Sequence, residues 1–288
     1  MDASETTFTE LMSLDALPAK SEREARFQGL AAPDKGQRLF GGQLLAQSVC
    51  AAEATTTDDR TVHSLHGYFL RPGDVDLPVE YSVESVRDGR SFSSRSVIAL
   101  QRNKELFRLQ ASFQVPAETL DYAATQMPDV PPPEAIGMTY ERFWLEQSDL
   151  AHWPGRKRPM EIRYINPPGA RGIPIVEDQL MWMRIRDRLP ETPGLHQAGL
   201  VYLSDASVAD HLMLPHGRRW QDPDFEGASL DHSMWFHRPA RADEWLLFAQ
   251  SVESTGAGRG LASGRFFDQS GSLIATCTQE GLMRWSDA

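Results

Sequence analysis

The chain states one pattern twice. "HSLHGYFLRPGDVDLPVEYSVESVRDGRSFSSRSVIALQRNKELFRLQASFQ" in the first half is answered by "DHSMWFHRPARADEWLLFAQSVESTGAGRGLASGRFFDQSGSLIATCTQEGLM" in the second. Each version passes from an aromatic stretch through Arg-Pro, at Arg71-Pro72 and Arg238-Pro239, to a strand ending in "SVES". Two further strands follow across a polar turn in both. An echo of this length marks a duplicated supersecondary unit, and it constrains the fold more than any single motif.

Each unit opens with a helical segment. "LFGGQLLAQSVCAAEA" has apolar residues at helical spacing behind Gly41-Gly42, and "LVYLSDASVADHLMLPHG" occupies the same place in the second unit, stopping at Pro215 and Gly217. The alternating runs "DLPVEYSVESV", "SFSSRSVIALQ" and "ELFRLQASFQV", parted by "RDGR" and "RNKE", read as antiparallel strands. A helix followed by strands, twice, predicts an α+β fold in which each sheet wraps its own apolar helix. "MPDVPPP", within Pro116 to Pro133, has the composition of a stiff, extended connection. The expected organisation is a first unit over 1–118, a linker over 119–157 and a second unit over 158–288.

Composition removes several classes. With 288 residues, 41% hydrophobic and 24% charged, the chain has material for a large core. A net charge of −11 argues against nucleic acid as a partner. No apolar run approaches the roughly 18 residues of a membrane span, so no membrane insertion is expected. The N-terminal "MDASETTFTE" is acidic where a signal peptide is basic and then apolar, so the expected address is cytoplasmic. Cys50 and Cys277 are far apart and without metal-ligand spacing, which reads as two buried thiols.

Motif by motif, familiar chemistries drop out. "TGAGRG" at Thr255 to Gly260 lies between two strands and reads as a hairpin turn rather than a dinucleotide loop. His211 and His216 straddle a helix end, and no metal site is expected. "GASLD" at Gly227 to Asp231 has aspartate where a nucleophile elbow needs its second glycine. What remains is a polar set in unusual places: Asp205 in the second helical segment, Ser229 just before a strand, and Gln279 inside the last strand. Asp205 is also a capping type and Ser229 a turn type. Gln279 is harder to place, because a buried amide without partners costs about 1 to 3 kcal/mol.

"SDASVADHLMLPHG", "ASLDHSMWFHRP", "WLLFAQSVEST" and "CTQEGLMR", with "RLFGGQLLAQS" and "HGYFLRPGD" nearer the N-terminus, resemble the type II acyl-CoA thioesterases (TesB-like), which are double hot-dog proteins. The resemblance spans most of the chain and is weakest from Pro116 to Lys157. It implies two tandem hot-dog units, an acyl-CoA substrate, no cofactor, and a hydrolytic water oriented by Asp205, Ser229 and Gln279. The family's commoner hydroxyl is threonine, so Ser229 departs mildly from its pattern. A homo-oligomer is also expected, since hot-dog sheets pair.

The chemistry is coherent on its own terms. Thioester hydrolysis needs a water, a base and donors for the oxyanion. Asp205 is expected to be the base, with Ser229 and Gln279 fixing the water. The helix N-terminus at Gly41 and Gly42 allows close approach of a ligand to backbone N–H groups. For the phosphates of coenzyme A, Arg238, Arg259 and Arg265 are candidates, although solvated strand charges read equally well. Two rivals stay open. His63, His66, His232 and His237 keep a hot-dog acyl-thioester dehydratase or hydratase in play, and a non-catalytic acyl-CoA binding protein is the other. Gln43 is taken as the first unit's position closest to Asp205, and Gln110 as the counterpart of Gln279, which leaves one active site per chain.

Overall fold

In the computed structural model, residues 6–286 are described apart from 22, 32–37, 58, 119, 147–157, 170 and 221. Both expected ends of the linker, 119 and 157, lie outside the described residues. The first unit contains α1 (Phe8–Met12), β1 (Leu14–Ser21), β2 (Glu24–Gly29), α2 (Gly41–Glu53), β3 (Thr61–Phe69), β4 (Val79–Asp88), β5 (Phe92–Gln101) and β6 (Lys104–Gln114). After α3 (Tyr140–Glu146), the second contains β7 (Met160–Tyr164), β8 (Gln179–Ile185), α4 (Pro193–Ser204), α5 (Val208–His211), β9 (Phe225–Ser229), β10 (Asp231–Phe236), β11 (Leu246–Gly256), β12 (Arg259–Phe267) and β13 (Leu273–Trp285). The two units share one antiparallel sheet, joined where β3 pairs with β10. This is the double hot-dog arrangement.

The echo in sequence is an echo in geometry. A register shift follows the first "SVES", between Ser85 and Arg87 in β4, and another falls within the second, between Val252 and Ser254 in β11. An extra residue there bends each strand around its helix. The turns are as read: "RNKE" places Arg102 and Asn103 at φ 49° and 59°, and "TGAGRG" places Ala257 and Gly258 at 50° and 73°. Successive positive φ values suit the right-handed twist of a tight hairpin.

α2 carries ten buried residues, from Gly42 through Ala52, and α4 is buried along nearly its whole length, so both are enclosed, with the polar Gln43, Gln47 and Ser48 of α2 and His196 and Ser204 of α4 buried among apolar neighbours. The helices lie antiparallel and side by side, each start against the other's end. The C-terminus of α4 meets the N-terminus of α2, where a Cβ on Gly42 would stand 2.7 Å from the Tyr202 carbonyl oxygen. The second helix differs from expectation at both ends. It starts at Pro193, where proline suits the first turn, and breaks at Asp205, its C-cap. α5 and a short 3₁₀ turn, Leu214–His216, then lead to Gly217 at φ 65°.

The connection between the units is extended, as its prolines require, but it is not a free spacer. Met127, Val130 and Ile136 pack on Trp182, Trp245, Leu247 and Phe267 across the outer face of the second sheet. Trp182 Nε1 donates to the Pro131 carbonyl. Among the described residues no helix is long and apolar enough to cross a membrane.

Candidate active site

The last strand changes partner in mid-course. β13 pairs with β10 through Thr278 and with β9 from Gly281 onward. Between those two stretches stands Gln279. The changeover is made at Leu230, whose N–H donates to the Glu280 carbonyl, while the Asp231 carboxylate accepts from the Glu280 N–H at 2.7 Å. The kink turns Ser229 inward. Gln279 points to the same interior, fully buried, opposite the small Ala262 of β12.

Asp205 arrives from the other side, at the break after α4. Gln279 Nε2 donates to Asp205 Oδ1 at 2.8 Å and to Ser229 Oγ at 2.6 Å. The three residues therefore meet, although 74 and 50 positions separate Gln279 from its two partners in sequence. Both amide hydrogens of Gln279 are committed to protein atoms, one to Asp205 and one to Ser229. Ser229, accepting from Gln279, keeps its own hydroxyl hydrogen for another acceptor.

The carboxyl of Asp205 projects onto the start of α2. The site of a Cβ on Gly41 lies 2.6 Å from Asp205 Oδ2, so any larger residue there collides with the carboxylate. The Gly42 N–H hydrogen-bonds Asp205. Of the two backbone donors expected for an oxyanion, Gly42 thus serves the carboxylate. Burial raises the Asp205 pKa to about 6, and the Gln279 amide, the Arg158 guanidinium and the Gly42 N–H oppose that rise. The outcome is a carboxylate ionised at neutral pH yet markedly more basic than an exposed one.

Two participants escaped the sequence reading. Arg158, at the edge of the expected linker, is the cation that acts on Asp205, and its guanidinium lies 3.7 Å above the Phe40 ring. The sequence offers His232 only as an acid or base for the dehydratase alternative. It is fully buried, with Nδ1 3.2 Å from Gln279 Oε1 and Nε2 2.9 Å from Ser204 Oγ, and burial pushes its pKa down to about 4. The signal was available: His232 alternates with Met234 on the inward side of β10, the same anomaly that singled out Gln279.

The arginines expected at a phosphate site do not converge on Asp205. Arg238 pairs with Asp121 of the linker and donates to the Leu273 carbonyl. Arg259 pairs with Glu280 at 2.9 Å. Arg265 approaches Ser251 at 3.5 Å. By strand alternation Arg259 and Arg265 lie on the opposite face of β12 from Ala262 and hence from Gln279.

The first unit does not rebuild the set, for reasons other than those read from sequence. Taking His63-Ser64-Leu65 with His232-Ser233-Met234, Ser64 pairs with Ser112 as Ser233 pairs with Thr278. Gln279 is therefore answered by Phe113, and Gln110, answering Thr276, is exposed on the outer face. Gln43 turns away, donating to the Leu30 carbonyl at 2.7 Å. The carboxylate that mirrors Asp205 is Glu53, at the end of α2, whose oxygens lie 1.8 Å from the site of a Cβ on Gly194 near the start of α4.

Comparison with known proteins identifies the family. Residues 157–282 match the acyl-CoA thioesterase family model, and residues 31–114 match that of the acyl-CoA thioesterase N-terminal domain. Human acyl-coenzyme A thioesterase 8 is 39% identical over 260 residues, covering 86% of this chain and 81% of that protein. The chain belongs to the type II acyl-CoA thioesterases. Acyl-CoA thioesterase 2 of Haemophilus influenzae is 37% identical to this thioesterase over 259 residues, covering 87% and 89% of the two chains. The crystal structure of acyl-CoA thioesterase II TesB2 from Mycobacterium marinum superposes with a TM-score of 0.76 at 34% identity, covering 96% of this thioesterase and 97% of that chain. The dehydratase alternative is not favoured by these relatives.

Proposed function

We propose that this thioesterase hydrolyses fatty acyl-CoA to a free fatty acid and coenzyme A, with Asp205 as general base. The observation that carries the mechanism is the buried Asp205 carboxylate, raised to about 6 and aligned by Gln279 beside the Ser229 hydroxyl. Water held between Asp205 and Ser229 gives its proton to Asp205 as its oxygen attacks the thioester carbonyl. The oxyanion is stabilised by N–H groups at the start of α2, Gly41 among them, where the helix dipole favours negative charge. Collapse of the tetrahedral intermediate breaks the C–S bond, and the proton passes from Asp205 to the departing thiolate. No covalent acyl-enzyme is needed.

The wider reading is part of the same proposal. Units over 1–118 and 158–288 with a linker over 119–157 are supported by two family models that match separately on either side of that connection. A homo-oligomer is supported by the exposed Tyr68 and Trp235 on the outer face where β3 meets β10. The deciding experiment is thiol release from saturated acyl-CoAs of graded length by the wild type and by Asp205→Asn. We expect turnover to fall about 10²- to 10⁴-fold in the variant. Near-wild-type turnover by folded Asp205→Asn would remove the assignment.

A further inference from the structure

We infer that His232 is a positioning residue that fixes the Gln279 amide and, through it, the alignment of Asp205 and Ser229. The inference rests on the proposed roles of those three residues. Gln279 Oε1 can only accept, so the His232 nitrogen facing it at 3.2 Å, Nδ1, must carry a hydrogen. A neutral ring then has a lone pair on Nε2. Ser204 Oγ stands 2.9 Å from both Nε2 and the Val201 carbonyl oxygen, so with Nε2 unprotonated its single hydrogen is shared between these two acceptors. The ring is fully buried and held at both nitrogens.

The consequence falls on the amide. Turned over, Gln279 has nearly the same shape, but its oxygen faces the Asp205 carboxylate and its NH₂ faces the His232 N–H. Both contacts are repulsive. Asp205 resists the wrong orientation from one end and His232 from the other, and only His232 does so independently of the protonation of Asp205. The residues form a closed circuit: Ser204 at the end of α4, His232 on β10, Gln279 on β13, and back to Asp205, the residue after Ser204. A base held this way keeps its hydrogen-bonded geometry while it gains and loses a proton in each turnover.

The test compares three replacements by kinetics over a pH range. Asparagine at 232 can place its amide nitrogen where Nδ1 stands, whereas glutamine reaches the place of Nε2 and leucine offers no donor. His232→Asn should keep at least a third of wild-type kcat. His232→Gln and His232→Leu, with cooperative melting to show that they fold, should lose about 10- to 100-fold in kcat with KM changed less than about threefold. Their acidic limb should also move upward by about half a unit or more, because a carboxylate that loses a donor holds its proton more tightly. Arg158, the Gly42 N–H and the Cys277 thiol, the other groups acting with Asp205, are unchanged in all three. Equal losses in all three variants, or none, would overturn the inference.

A measurement on the unaltered site covers variants that fail to fold. Among the described residues, His211 and His232 are the buried rings whose Nδ1 faces a carbonyl oxygen. In ¹⁵N spectra of histidine-labelled protein, the ring signal displaced by Gln279→Ala belongs to His232. It should be the neutral Nδ1–H tautomer, and finding Nε2–H there overturns the inference. An active Asp205→Asn enzyme removes the site assignment and this inference together. An inactive Asp205→Asn beside an unimpaired His232→Leu removes this inference alone.

Discussion

Asp205 performs its proposed role because of what surrounds its two oxygens. Oδ1 accepts from Gln279, and Oδ2 lies over Gly41, where the absence of a side chain leaves room for it. Since the base must be ionised to accept a proton, kcat/KM should rise with pH through about 6 and level off above it, as a pH–rate profile will show. A profile flat from pH 5 to 8 would contradict a carboxylate base with that pKa. The glycine is as informative as the aspartate. Gly41→Ala puts a methyl group 2.6 Å from Oδ2, so the carboxylate must move. We expect kcat to fall about 10- to 100-fold with a melting temperature within a few degrees of wild type, because misplacing a reacting group by an ångström costs about that much. From sequence, Gly41 was legible as a place of close backbone approach. That the neighbour is a carboxylate from the other unit was not, because helix ends meet only once both sheets have formed.

At the level of elements, the crossing of α2 and α4 is a pair of matched ends. Each N-terminus has a glycine, Gly41 or Gly194, and each receives a carboxylate from the end of the other helix, Asp205 or Glu53. Among the described residues no side-chain amide meets that carboxylate, since Phe113 holds the position of Gln279, and burial pushes Glu53 up to about 7. Its folded pKa is thus above the unfolded value. The stability it contributes is fully present below about pH 4.5 and is lost as pH rises through about 7. Glu53→Gln removes that loss. We expect the variant to exceed wild type by about 1 to 2 kcal/mol in denaturant unfolding at pH 8, the full shift being discounted for residual solvent contact. The difference should vanish near pH 4. A variant less stable than wild type at pH 8 but not near pH 4 would mean that the ionised carboxylate is held favourably by α4.

Taken as a whole, the molecule is a duplication in which one half carries the proposed catalytic set and the other brings the start of α2 against it. A single site per chain follows: Asp205→Ala should abolish essentially all turnover, while Gln110→Ala, altering an exposed outer-face residue, should leave most of it. An Asp205→Ala enzyme with about half the wild-type rate and unchanged KM would require a second site. Much of this plan was written in local pattern. The repeat, the α2 helix, the strands β4 to β6 and the hairpins at Arg102-Asn103 and Ala257-Gly258 depend on periodicity and turn chemistry, which act over a few residues and are visible in the order of side chains. Gln279 announced itself for the same reason, as a polar residue at an inward strand position. Tertiary structure decided the rest, since those outcomes depend on distant segments meeting. It moved the start of the second helix to Pro193 and put Asp205 at a helix end, because enclosure by the sheet stabilises an apolar helix well beyond its caps. It tied Arg238 to Asp121 and brought Arg158 toward Asp205, since an ion pair depends on separation in space and not along the chain. Strand register, set where β3 meets β6 and β10 meets β13, gave Phe113 the place that Gln110 held in the linear alignment, because an odd slip exchanges the faces of a strand and the two glutamines lie on opposite ones.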